Sequence, residues 1–99
     1  MALSLCVLLW ARPGEEDGLV AYEDRVLALV TEHDGRVLQR ARTDGSDEQP
    51  LEIQLITFPS QAALDGYLTD ERRVALAAER DRVVSRTETM RVILTGEPA

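Results

Sequence analysis

The sequence has one cysteine, one histidine, no lysine and few aromatic residues. Cys6 alone excludes an internal disulfide and any multi-cysteine metal site; a small thiol inside an apolar strand fits a reducing cytoplasm. The eleven basic residues are all arginine and face eighteen acids, so the net charge of −7 repels phosphate backbones and anionic lipid. Neither nucleic acid nor membrane is an expected partner. No apolar run approaches the roughly 20 residues that span a bilayer. The apolar start, Leu3 to Trp10, has no basic n-region or small-residue cleavage site, so it reads as neither signal nor anchor.

What remains is ordinary soluble-domain composition, 44% apolar and 29% charged. Its length implies one domain over residues 1–99. Leu3 to Ala11 is an apolar strand ended by Arg12-Pro13-Gly14. Helical spacing of Leu19, Tyr22, Val26, Leu29, Val30 and His33 predicts a helix over Asp17 to His33, with Gly35 as its left-handed C-cap. Arg36 to Arg42 alternates Val37, Gln39 and Ala41 against Leu38, Arg40 and Arg42, a polar strand near an edge. Thr43 to Gln49 is rich in turn formers and reads as a mobile connection.

The stretch from Pro50 to Val84 organises the rest. Leu51 to Phe58 alternates as a strand, Pro59 ends it, and Ser60 can cap the helix that follows. Gly66 and Thr69-Asp70-Glu71 mark a joint, which predicts a short helix and then a longer one. Leu64, Tyr67, Leu68, Val74, Ala75, Ala78 and Val83 are expected on its apolar face, with Glu71, Arg72, Glu79, Arg80 and Arg82 solvated. Thr87 to Thr95 is the last strand, and the Gly-Glu-Pro-Ala end is expected to fray.

The order is βαββαβ, an α+β arrangement with two helical regions over one face of a four-stranded antiparallel sheet. Strand one carries Leu3, Leu5, Val7 and Leu9 on one face and Cys6, Leu8 and Trp10 on the other. Strand four repeats this with Met90, Val92 and Leu94 against Ile93. An apolar second face needs a cover, and a two-fold homodimer through the sheet is the simplest one.

Several families share this order. The RNA-binding version needs stacking aromatics and basic residues on its central strands, which IQLITFP lacks. The acylphosphatase phosphate loop is missing, since Arg12-Pro13-Gly14-Glu15-Glu16 presents acids. Metal-carrier domains need two close cysteines. Through Tyr22, the passage His33-Asp34-Gly35-Arg36-Val37-Leu38, and Phe58-Pro59-Ser60 followed by Ala62, Ala63 and Tyr67, the chain resembles the dimeric α+β barrel superfamily. The likeness is to its small DUF1330-like and antibiotic-biosynthesis-monooxygenase-like members. The resemblance implies a ferredoxin-like fold, sheets packed back to back in a homodimer, and in ligand-binding members a cleft between sheet and helices. Activities in that superfamily include cofactor-independent oxygenation, haem degradation, isomerisation and decarboxylation.

His33 is the candidate general base, although a helix C-terminus also favours an imidazolium. No acids or cysteines are spaced around it as a metal set, and no cofactor is expected. Tyr22 and Tyr67 sit on apolar helix faces, where they either pack the core or point phenols into a shared cleft. Trp10 lines the mouth of such a cleft or packs at a dimer contact. Arg40, Arg42 and Arg91 are strand arginines able to bind an anionic ligand or a carboxylate across the sheet, with Glu52 and Glu88 available for the more ordinary intramolecular or intersubunit ion pairs, and Arg72-Arg73 reads as a solvated pair. The expected ligand set is therefore Trp10, Tyr22, His33 and Tyr67, holding a small apolar or aromatic molecule. The alternative is a non-catalytic dimerisation or accessory module.

Overall fold

Pro59 ends one strand and Ser60 starts a helix, as the local chemistry requires: Ser60 Oγ accepts from the Ala63 N–H at 3.1 Å. The computed structural model describes residues 2–96. Its elements are β1 (Leu3–Ala11), α1 (Glu16–Leu27), β2 (Arg36–Arg42), β3 (Glu52–Phe58), α2 (Gln61–Leu68), α3 (Glu71–Val74), α4 (Ala77–Val83) and β4 (Val84–Val92), with 3-10 turns at Val30–His33 and Ser46–Glu48. All pairings are antiparallel, and the strand order is β2-β3-β1-β4. The fold is α+β with helices on one face of the sheet.

That face holds two joined apolar clusters. One gathers Leu5, Val30, Ile56, Phe58, Leu64 and Tyr67; the other gathers Leu9, Leu19, Tyr22, Val26, Val83 and Val84. Each fully buried aliphatic side chain contributes about 1.5–3 kcal/mol to holding the helices down. On the opposite face Leu8 pairs with Ile53, and Cys6 lies between Leu55 and Met90. No helix covers these residues among those described, and Met90 is 45% exposed.

Five local expectations are corrected. The first helix stops at Leu27, because the next backbone N–H groups, of Leu29 and Glu32, bond three residues back, to Val26 and Leu29, which tightens the chain into a 3-10 turn. The left-handed cap is Asp34, at φ 63°; Gly35 serves close packing instead. A Cβ on Gly35 would lie 2.7 Å from Phe58 Cε1 and 2.8 Å from Val30 Cγ1.

In β2 the register shifts between Val37 and Gln39. That bulge puts Val37 and Arg40 on the same, helix-covered face, opposite Ile56 and Gln54.

The second helical region breaks into three pieces, so its helical phase resets at Thr69 and again at Leu76. Asp70 Oδ1 caps the middle piece by accepting from the Arg72 N–H at 2.9 Å. As a result Val74 is 56% exposed and Ala75 and Ala78 face outward, whereas Arg73 and Arg80 are half-buried. β4 starts at Val84, directly from α4, and ends at Val92. Of the expected frayed end, only Gly96 lies within the described residues.

Candidate functional site

Between the helices and the β1–β4 half of the sheet lies a cavity of about 430 Å³. Its floor is apolar: Leu5, Val7 and Leu9 of β1, with Ile56 and Phe58 of β3 beside them. The roof comes from α1 and α2. Tyr22 and Val26 lie four residues apart on the inner face of α1, and Tyr67 projects from α2.

Tyr67 is fixed from several sides. Its hydroxyl donates to the Val26 carbonyl at 3.2 Å, its ring lies 5.5 Å from that of Phe58, and the Arg73 guanidinium sits 5.0 Å from its centroid. Burial pushes the Tyr67 phenol up, against the pull of Arg73. Burial likewise raises Tyr22. Both are therefore neutral phenols near neutral pH.

One wall is polar, though deeply buried. Glu23 is 4% exposed, and Gln54 and Glu52 are each 1% exposed. Gln54 Nε2 donates to Glu23 Oε1 and to Glu52 Oε2, both at 2.7 Å. Glu52 is gripped by Arg40 through Nε at 2.8 Å and Nη2 at 3.1 Å, and Arg40 Nη1 reaches Asp24 at 2.7 Å. Since both amide protons of Gln54 serve carboxylates, only its carbonyl oxygen remains for another partner. Burial raises the Glu23 carboxyl, with the neighbouring Glu52 adding to it and the Gln54 hydrogen bond opposing it. Glu23 is thus the group in this wall suited to hold or release a proton.

The four rings expected to converge are divided by the sheet and by a hydrogen bond to Asp70. Tyr22 and Tyr67 line the cavity. Trp10 projects from the face of β1 opposite the helices, where its indole N–H donates to the Glu48 carbonyl at 2.9 Å and Arg86 stacks over it at 4.6 Å. His33 Nε2 meets Asp70 Oδ2 at 2.8 Å, with its ring edge-on to Tyr67 at 6.3 Å, behind the cavity wall. Among the described residues no cluster of His, Cys, Asp and Glu could hold a metal ion.

Of the strand arginines and their available partners, Arg40 pairs with Glu52, while Glu88 pairs with Arg86. The Arg72-Arg73 pair splits: Arg72 is solvated and bound to Asp70 and Glu32, whereas Arg73 turns inward. Arg80 also lines the cavity, contrary to its expected solvation, and donates to Thr87 Oγ1 at 2.8 Å. Glu23, Gln54, Arg73 and Arg80 were not among the sequence candidates. The strand phase of Glu52 and Gln54 with Ile56 and Phe58 was the available signal for the polar wall.

No family model matches this sequence, and no curated protein matches it. Solved structures do. A protein of unknown function from Rhodopseudomonas palustris is 16% identical, with a TM-score of 0.78 over 98% of this chain and 84% of that one. A dimeric protein of unknown function and ferredoxin-like fold from Bacteroides fragilis is 14% identical, with a TM-score of 0.69 over 94% and 96% of the two chains. An uncharacterised NIPSNAP-like domain protein from Burkholderia xenovorans is 10% identical, with a TM-score of 0.73 over 99% and 90%. At such identities the likeness concerns the fold, which is ferredoxin-like.

Proposed function

We propose that this chain works as a homodimer joined through its open sheet face, each subunit binding a small, mainly apolar or aromatic molecule in the helix-sheet cavity. The observation that carries the reading is the cavity itself: an apolar floor, two neutral phenols and one buried polar wall within about 430 Å³. That composition is typical of small-molecule sites, where a few fixed polar groups orient an otherwise apolar ligand. Supporting the dimer are the uncovered apolar residues Leu8, Ile53, Leu55 and Met90, and the dimeric state stated for the Bacteroides fragilis protein of the same fold. On this reading the chain groups with the DUF1330-like and antibiotic-biosynthesis-monooxygenase-like proteins. Any chemistry in the cavity falls to Glu23 as proton carrier, with Tyr22 and Tyr67 as hydrogen-bonding phenols; His33 is a positioning residue behind Tyr67.

The test uses N-phenyl-1-naphthylamine, an uncharged dye that brightens in dry apolar sites. Wild type is expected to bind it saturably, one per chain, and Val7→Trp, which fills the floor, to abolish binding while circular dichroism stays native. Dye binding indifferent to Val7→Trp would refute the cavity as the site.

A second reading, a dimerisation or accessory module without a ligand, is favoured by the open sheet face alone. It predicts no saturable dye binding by a stable dimer.

A further inference from the structure

The arginines divide into two populations. Arg25, Arg40, Arg72 and Arg86 each pair with at least one carboxylate. The three that line the cavity, Arg73, Arg80 and Arg91, form no ion pair among the described residues. Arg80 is held by the Thr87 hydroxyl and Arg91 by the Gln61 side chain. In a chain with eighteen acids to eleven arginines, three arginines against one glutamate around one cavity are a local reversal of the overall charge. Arg73 and Arg80 are half-buried, whereas Arg91 at the rim is exposed, like Arg12, Arg36, Arg42 and Arg82, which also have no carboxylate partner among the described residues.

Arg73 differs from the other two in its hydrogen bonding. Its Nε is buried and has no hydrogen-bond partner among the described residues, while its guanidinium plane lies over Tyr67. Leaving such a donor unpaired is costly, and a native structure that retains one calls for a specific explanation. Glu23, which lines the cavity, is turned to Gln54 instead. A guanidinium presents N–H groups in a planar fork that matches a planar two-oxygen anion.

Resting on the reading of the cavity as a binding site, we propose that its occupant is a planar aromatic or apolar monoanion. Its oxyanion is received by Arg73, with Arg80 and Arg91 supplying positive potential at the rim. Its body lies on the floor of Val7, Ile56 and Phe58. The shared chemistry is a planar oxyanion conjugated to an apolar skeleton, as in an aryl carboxylate.

The experiment compares 2-naphthoate with its neutral isostere 2-naphthamide by isothermal titration calorimetry of the full chain at pH 7. Naphthoate is expected to bind roughly tenfold tighter or better, about the energy of one charge-assisted contact. Arg73→Gln should bring the two ligands to parity, and Arg82→Gln, remote and exposed, should alter neither. Should Arg73→Gln not fold, Arg80→Gln and salt take its place: added salt should weaken naphthoate only. Equal binding of both ligands by wild type overturns the anion inference and leaves the cavity reading standing. Loss of preference in Arg82→Gln equal to that in Arg73→Gln also overturns it, since overall charge would then explain the effect. Binding of neither ligand, together with failure of the dye, overturns both.

Discussion

His33 Nε2 lies 2.8 Å from Asp70 Oδ2, and this contact ties the turn after α1 to the start of α3. Asp70 also accepts from the Arg72 side chain and backbone N–H. The Arg72 guanidinium, followed by His33, holds the Asp70 carboxyl well below the usual carboxylate range.

A carboxyl depressed in the folded state contributes its stability fully above its unfolded value, near 3.9, and loses it as pH falls further. Thermal melts from pH 5 down to 2 should therefore fall more steeply for wild type than for Asp70→Asn, which keeps a capping side chain. Parallel curves would remove Asp70 from the acid response.

Glu23 has the opposite sign. Its carboxyl is raised by burial, so the folded state holds this proton more firmly, and the group's contribution declines as pH rises from the unfolded value through the folded one. Glu23→Gln is expected to flatten that decline and to melt higher than wild type at neutral pH, with Gln54 still donating to position 23. A lower melting temperature at every pH would show that the ionised carboxylate is what the fold requires.

Gly35 is set against Phe58 with no room for a methyl group. Gly35→Ala should cost about 1–3 kcal/mol from overpacking, and Phe58→Leu in the same chain should recover part of it. The measurement is a double-mutant cycle in urea; strict additivity of the two substitutions would place the strain elsewhere.

The open face gives a prediction about mass. Sedimentation equilibrium across a hundredfold concentration range should show a dimer for wild type, and Leu8→Arg, on that face opposite Ile53, should give a monomer. A wild-type monomer throughout would withdraw the homodimer.

Much of the fold is legible because caps and alternation are local. Ser60, Pro59 and Asp70 act where their chemistry places them, and the two apolar faces of β1 are plain from Leu5 and Leu9 against Cys6 and Leu8. Less legible is anything set by phase. The β2 bulge moves Arg40 to the inner face, and the breaks at Thr69 and Leu76 turn Arg73 and Arg80 inward and Val74 outward. The site was half visible: Tyr22 and Tyr67 follow helical spacing, whereas Glu23 sits among exposed acids in sequence and is buried only because Gln54 faces it. Gly35 reads as a cap because the tertiary contact with Phe58 has no local signature.

The polar wall bears on how β3 finds its place. This strand has two apolar sides, Ile56 and Phe58 on one and Ile53 and Leu55 on the other, so a one-residue slip against β1 would exchange them. Burial alone discriminates poorly between those pairings. The bond of Gln54 to Glu23 on α1 can form in only one of them, which makes this buried contact a registration key for the sheet. Gln54→Leu should accordingly add a slow phase in stopped-flow refolding, from chains that first pair β3 the wrong way up.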